Sequence, residues 1–287
     1  MHFGERYAAP GGVQNNMNDV QTTGRGMRVR RPPPPFRKVK VRRFVSSTPR
    51  LVRVTLTGSD LAGFAVDQPA ASVRLLIPSP GTSQLVIPTW NGNEFLFPDG
   101  RRPTIRTFTP RRFDPETLEL DLEIVIHEGG AVSGWVERVA GGEPAAISGP
   151  GRGYTIDRAA PSFLLAGDES ALPAMSQLLE SLPATTPVQM HVEIAHPDAR
   201  LELPDHPRAQ VNWCDLPPEA PPGEALTASV QAAALDPGGR VWAAGEAAAM
   251  HRIRRHLFGE RALPRAGATV RGYWKHARRE SSTKSTE

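Results

Sequence analysis

The chain has 287 residues, enough for two ordinary domains, and its 39% hydrophobic and 22% charged residues suit globular cores. Its 29 prolines and 26 glycines predict turns and short strands in preference to long helices, and no apolar run is long enough for a bilayer span. A single cysteine, Cys214, excludes an intramolecular disulfide, an iron–sulfur cluster and a cysteine-based zinc site; the eight histidines show no ligand spacing, so no metal site is expected.

The net charge of +4 is unevenly placed: no acid lies between Asp19 and Asp60, while Arg25, Arg28, Arg30, Arg31, Arg37, Lys38, Lys40, Arg42 and Arg43 crowd that interval. Such a run is either a solvated tail or an anion-attracting arm. No nucleic-acid-reading motif accompanies it, and no nucleic-acid partner is expected. The opening MHFGERYAAPGG lacks the basic-then-apolar pattern of a secretory leader, and Met27 is an alternative start. The expectation is a cytoplasmic protein without stable membrane association, with a monomer favoured.

Residues 1–35, ending in Pro32–Pro35, predict a disordered basic and proline-rich tail. From Phe36 the chain turns to short segments rich in Val, Ile, Leu and Thr: 38–45, 51–57, 73–77, 105–110 and 118–126, punctuated by Gly, Pro and Asp. This spacing predicts an antiparallel barrel or sandwich. Past Gly149–Pro150 strands alternate with helices: strands at 162–166, 188–194, 211–214, 240–244 and 269–274, helices at 170–182, 226–234 and 247–258. That alternation predicts a mainly parallel sheet covered on both faces. The expected division is 36–157 for the barrel, 158–280 for the α/β part, and a disordered tail at 281–287.

Four clusters carry chemistry. In Arg106-Thr-Phe-Thr-Pro-Arg111, strand alternation sends Arg106, Phe108 and Pro110 one way and Thr107, Thr109 and Arg111 the other. Phe108 could lie on a flavin ring, Thr109 could bond its edge and the arginines could neutralise a diphosphate; a basic surface strand with one core Phe fits equally. The stretch His127 to Trp135 places Gly130, Ala131, Val132 and Ser133 at a helix start, a natural diphosphate site, or an ordinary strand–turn–helix with a core Trp. Gly167, Asp168, Glu169 and Ser170 follow the first parallel strand, where open α/β sheets bind ligands, with Ser170 expected to cap the helix. The carboxylates would repel a phosphate placed directly there. Gly245 and Glu246 repeat the strand–glycine pattern later.

Together these segments resemble the siderophore-interacting, or ferric-siderophore reductase, family of ferredoxin-reductase-like flavoproteins. The family's Arg-x-Tyr-Thr-x-Arg is similar to residues 106–111, its His…Gly-Pro-Ala-Ser-x-x-Trp to 127–135, and its Ala-Gly-Asp-Glu-(Thr/Ser)-Ala-Leu-Pro-Ala to 166–174. Its Trp-x-Ala-Gly-Glu matches 242–246 and its Gly-Tyr-Trp-(Arg/Lys) matches 272–275. The order agrees over about residues 36–276. Phe108 replaces the tyrosine, Ala131 the proline and His251 a common arginine.

The resemblance implies an FAD-binding barrel, then a Rossmann-like NAD(P)H-binding domain, with electrons passing through FAD to a ferric siderophore. The short tail after Lys275 resembles NADPH-using members, NADH being the alternative. An anionic siderophore would need a basic mouth, for which Arg252, Arg254, Arg255 and Lys275 are the candidates, or a solvated helix face explains them. Trp274 would shield the flavin or sit in the core. A flavin reductase with another acceptor and a non-catalytic siderophore carrier are the rival functions.

Overall fold

The structure is a computed structural model describing residues 32–276. Of the tail expected at 1–35, residues 1–31 lie outside the described residues, as do the tail expected at 281–287, Met27, and Arg25, Arg28, Arg30 and Arg31 of the basic run.

The first part is a seven-stranded antiparallel sheet. Its strands are β1 (Phe36–Thr48), β2 (Leu51–Thr57), β3 (Val73–Leu76), β6 (Ile105–Phe108), β7 (Pro110–Asp114), β8 (Glu119–Val125) and β9 (Pro144–Ser148), in the order β6-β3-β9-β1-β2-β8-β7. Period-two patterning builds it: Val39 and Val41 of β1 point into the core while Lys38, Lys40 and Arg42 face solvent. The inward set packs with Val54, Leu56, Leu75, Leu120, Leu122 and Ile147 into one apolar cluster. The outermost strands, β6 and β7, are consecutive in the chain and separated by Thr109 alone. Both margins of the sheet therefore meet at one residue, and the sheet rolls up around its core.

A two-stranded ribbon, β4 (Thr89–Trp90) and β5 (Phe95–Leu96), was not expected from the sequence. It packs Phe95 against Phe36, 5.2 Å between ring centroids, and against Trp90, 5.1 Å.

The second part is a five-stranded sheet in which every pair is parallel. It contains β10 (Phe163–Asp168), β11 (Val188–Ile194), β12 (Ala209–Asp215), β13 (Arg240–Glu246) and β14 (Ala268–Trp274), in the order β12-β11-β10-β13-β14. The central strands read as continuous buried runs because both faces are covered. Helix α2 (Leu172–Ser181) covers one face with Met175, Leu178 and Leu179. Helices α3 (Glu224–Ala232) and α4 (Ala247–Arg255) cover the other through Leu226, Val230, Met250 and Ile253. Strand order reverses between β10 and β13, which places a topological switch point at their carboxyl ends. Among the described residues no helix is long and apolar enough to cross a membrane.

Candidate functional site: the barrel seam and the carboxyl edge of the parallel sheet

At the barrel seam the expected alternation holds only as far as Phe108. Arg106 and Thr107 are both exposed, and Thr109 and Pro110 are both buried. The reason is the strand change at Thr109: Phe108 still pairs with Val73 of β3, while Pro110 already pairs with Leu122 of β8. Phe108 is half-buried and packs on the barrel core. The guanidinium of Arg106 makes one hydrogen bond, 2.9 Å to the adjoining Ile105 carbonyl, and otherwise faces solvent. Arg111, unlike Arg106, is engaged by another side chain. It forms a two-pronged ion pair with Glu180 of α2, at 2.6 and 3.0 Å, tying the barrel to the second sheet.

The segment His127–Gly130 leads from β8 into a six-residue helix, α1 (Ala131–Val136). Gly130 has ordinary extended dihedrals, and what demands a glycine is crowding. A Cβ there would lie 2.6 Å from Ser133 Oγ and 2.7 Å from the His127 ring. Ser133, buried, accepts the His127 amide at 3.1 Å, so its hydroxyl is engaged in shaping the turn. His127 is exposed, Val132 and Trp135 are core, and Ala131 remains open at the helix start. A cavity of about 270 Å³ runs from Ala131, Trp135 and Arg138 to residues 77–83. An exposed arginine and a half-buried aromatic are chemically suited to a diphosphate and a flat ring, the groups that FAD would present.

At the carboxyl edge of the parallel sheet, Asp168 is buried and all its acceptor capacity is used. Its Oδ1 accepts the Ser170 amide and hydroxyl; its Oδ2 accepts the Glu246 amide and the Trp274 indole N–H, both at 2.8 Å. Asp168, and not Ser170, is thus the cap of the turn that follows β10. Burial pushes the Asp168 carboxyl above the usual carboxylate range, and the four donated bonds oppose that shift. Glu169 is equally occupied, accepting Arg50 Nε and the Ala195 amide at 2.8 Å each. Glu246 caps α4 through the Ala249 amide at 2.9 Å and accepts the His276 amide at 3.2 Å. The carboxylates expected to meet a cofactor here hold the edge together. Gly167 is required by packing, since a Cβ would lie 2.5 Å from Ala171 Cβ.

The basic candidates do not form one group. Helix α4 starts at the carboxyl edge and runs away from it, so Arg252, Arg254 and Arg255 lie in its last turn, about 8–12 Å along the axis. Arg254 donates to the Val270 carbonyl, four residues before Trp274. Arg252 Nη2 is buried without a hydrogen-bond partner, and Arg255 is exposed. Lys275 alone of the four sits at the edge, exposed beyond the end of β14.

Several residues that join the two parts carried no signal of their own in the sequence. Gln177 of α2 donates to the Pro110 carbonyl at 2.6 Å and accepts the Ala70 amide at 2.9 Å. Tyr273 packs against Trp242, and burial pushes its phenol pKa up. Arg271 donates to the Ala70 and Gly153 carbonyls. Glu193 did leave a trace, as the one acid inside the otherwise strand-like Gln189–Ile194, and an acid there must have partners. It accepts the Gly223 amide at 2.6 Å and the Leu226 amide at 2.9 Å, capping α3 from a neighbouring strand.

A rolled antiparallel sheet whose seam abuts the carboxyl edge of a parallel sheet is the ferredoxin-reductase-like architecture. The Amycolatopsis cytochrome P450 reductase GcoB shares it with a TM-score of 0.61 at 17% identity, covering 86% of this chain and 72% of that one. Within that class the chain belongs to the siderophore-interacting protein family. Family models described as "Siderophore-interacting FAD-binding domain" and "Siderophore-interacting protein" match residues 40–154 and 160–277. The crystal structure of a siderophore utilization protein from T. fusca superimposes with a TM-score of 0.76 at 33% identity, over 85% of this chain and 94% of that one. The ferric vibriobactin reductase ViuB of Vibrio cholerae is 27% identical over 246 residues, 84% of this chain and 89% of that protein.

Proposed function

We propose that this flavoprotein is a cytoplasmic NAD(P)H-dependent ferric-siderophore reductase, with FAD on residues 36–157 and the nicotinamide donor, NADPH or NADH, on residues 158–280. The observation that carries the reading is the contact between the two parts. The seam bearing Arg106 and Phe108 continues into Pro110, whose carbonyl accepts Gln177 of α2 at 2.6 Å, while Arg50 of the barrel donates to Glu169 at the carboxyl edge at 2.8 Å. A ring held at Phe108 is thereby next to the sheet edge where a dinucleotide binds.

On this reading Arg106 and the turn at Gly130 hold the diphosphate, Phe108 supports the ring and Thr109 sets its edge. FAD supplies the conversion of a two-electron donor into single-electron delivery. The side chains act by placement and by excluding water, and no protein acid or nucleophile is needed. Reduction of Fe(III) to Fe(II) lowers the charge that hard siderophore oxygens grip, so the iron leaves.

The test is spectroscopic. Purified protein loaded with FAD should bleach on anaerobic addition of NADPH or NADH, then recover its oxidised spectrum on addition of a ferric siderophore, with Fe(II) trapped stoichiometrically. Protein that takes up no FAD, or flavin that stays oxidised with both nucleotides, refutes the proposal. Recovery without trapped Fe(II) transfers the case to a reductase with another acceptor.

A charged substrate adds a second expectation. Lys275→Glu should raise KM for an anionic ferric siderophore several-fold at low salt, and the effect should shrink toward 0.15 M salt as screening sets in. Arg255→Glu, remote from the edge, should change KM little. Equal effects of the two substitutions would place the substrate on α4 instead.

A further inference from the structure

Three strand ends converge on one carboxylate. Asp168 closes β10; its Oδ2 accepts the Glu246 amide at the end of β13 and the indole of Trp274 at the end of β14. Strands lie about 4.8 Å apart, so the indole spans two spacings, roughly 10 Å, across the end of β13. The residue beneath that span is Gly245, at φ +154°, where a Cβ would lie 2.5 Å from Asp168 Oδ2. The missing side chain leaves the room in which aspartate and indole meet.

The ring so held is not a core residue. Trp274 stays 39% exposed although its N–H is anchored to a buried acid. It follows directly on Tyr273, whose ring packs edge-on against the buried Trp242 with centroids 6.4 Å apart. A large aromatic that is fixed in orientation and left open to solvent is a surface on which a flat ring can stack.

We infer that Asp168 is a positioning residue, which holds the Trp274 indole flat against the carboxyl edge as the platform for the nicotinamide end of the donor. This rests on the reductase reading for its ligand, but not for the clamp itself. Asp168 touches no reactant; it acts through Trp274.

The experiment uses the FAD-loaded full chain carrying Asp168→Asn, Trp274→Phe or both. The asparagine keeps the shape but cannot accept on both sides, so the Trp274 indole N–H, assigned by its loss in Trp274→Phe, should exchange with solvent at least about tenfold faster. In steady state each single variant should raise KM for the nicotinamide about tenfold, with a smaller change in kcat. The double variant should be no worse than either single one, because both remove the same link. Additive losses, unaltered indole exchange, or wild-type kinetics in Trp274→Phe would each overturn the inference. Should Asp168→Asn fail to fold, the Trp274→Phe kinetics decide alone. If wild-type flavin is reduced by neither nucleotide, the reductase reading falls and the clamp is judged on indole exchange: faster exchange upholds it, unchanged exchange removes it.

Discussion

Arg106→Glu should yield a fully stable apoprotein that no longer retains FAD, with Kd raised about 100-fold or more. The two halves of that expectation come from different observations. The Arg106 side chain is exposed and bonded only to the adjoining Ile105 carbonyl, so its loss leaves the packing untouched. Its sole asset is an available guanidinium at the seam, and reversing its charge sets a repulsion against any diphosphate placed there. Arg111→Glu should behave in the opposite way. It breaks the ion pair with Glu180, so the melting temperature falls first. Isothermal titration with FAD and thermal melts of both apoproteins separate the two arginines. If Arg106→Glu binds FAD normally, the diphosphate lies elsewhere.

Glu193→Ala should be strongly destabilising, costing about 2–4 kcal/mol and lowering the melting temperature by roughly 10 °C. Removing the carboxylate strands two buried amides, those of Gly223 and Leu226, at the start of α3. Glu193→Gln retains one acceptor and should cost less. The pH dependence has a definite sign. Burial raises the Glu193 and Asp168 carboxyls in the folded state above their unfolded values. The stability tied to that shift is complete below about pH 4 and is lost as pH climbs through the raised values. Glu193→Gln deletes one of these titrations, so its melting temperature should decline less than the wild type's as pH rises above the ordinary carboxylate range. Equal declines would mean that Glu193 titrates normally.

Much of the fold was legible because it follows local periodicity. Leu51–Thr57 and Val188–Ile194 form strands over the very residues their patterns mark, and the apolar runs at 163–166 and 241–244 are the buried centre of a parallel sheet. What escaped depends on partners distant in the chain. The run 105–110 reads as one strand, yet it splits at Thr109 because its two halves pair with β3 and with β8. The ribbon at 89–96 is two residues deep on each side, too short to show a period. The arginines of α4 share a short stretch of sequence, but helical geometry spreads them around the axis and points the helix away from the edge. The carboxylates of Asp168, Glu169 and Glu246 are visible as residue types, whereas their commitment to backbone amides emerges only once the strand ends are assembled.

The uncovered margin of the parallel sheet has its own consequence. The outer side of β14 is engaged by Arg254 at Val270, and Arg271 ties that strand to the barrel. Strand β12 pairs only with β11, and Gln210, Val211 and Asn212 are exposed along it. Strand addition by a second chain would use the backbone amides and carbonyls of such a flank. The Arg200–Asp215 pair at 2.9 Å supplies charge at its far end, a feature that disfavours such growth.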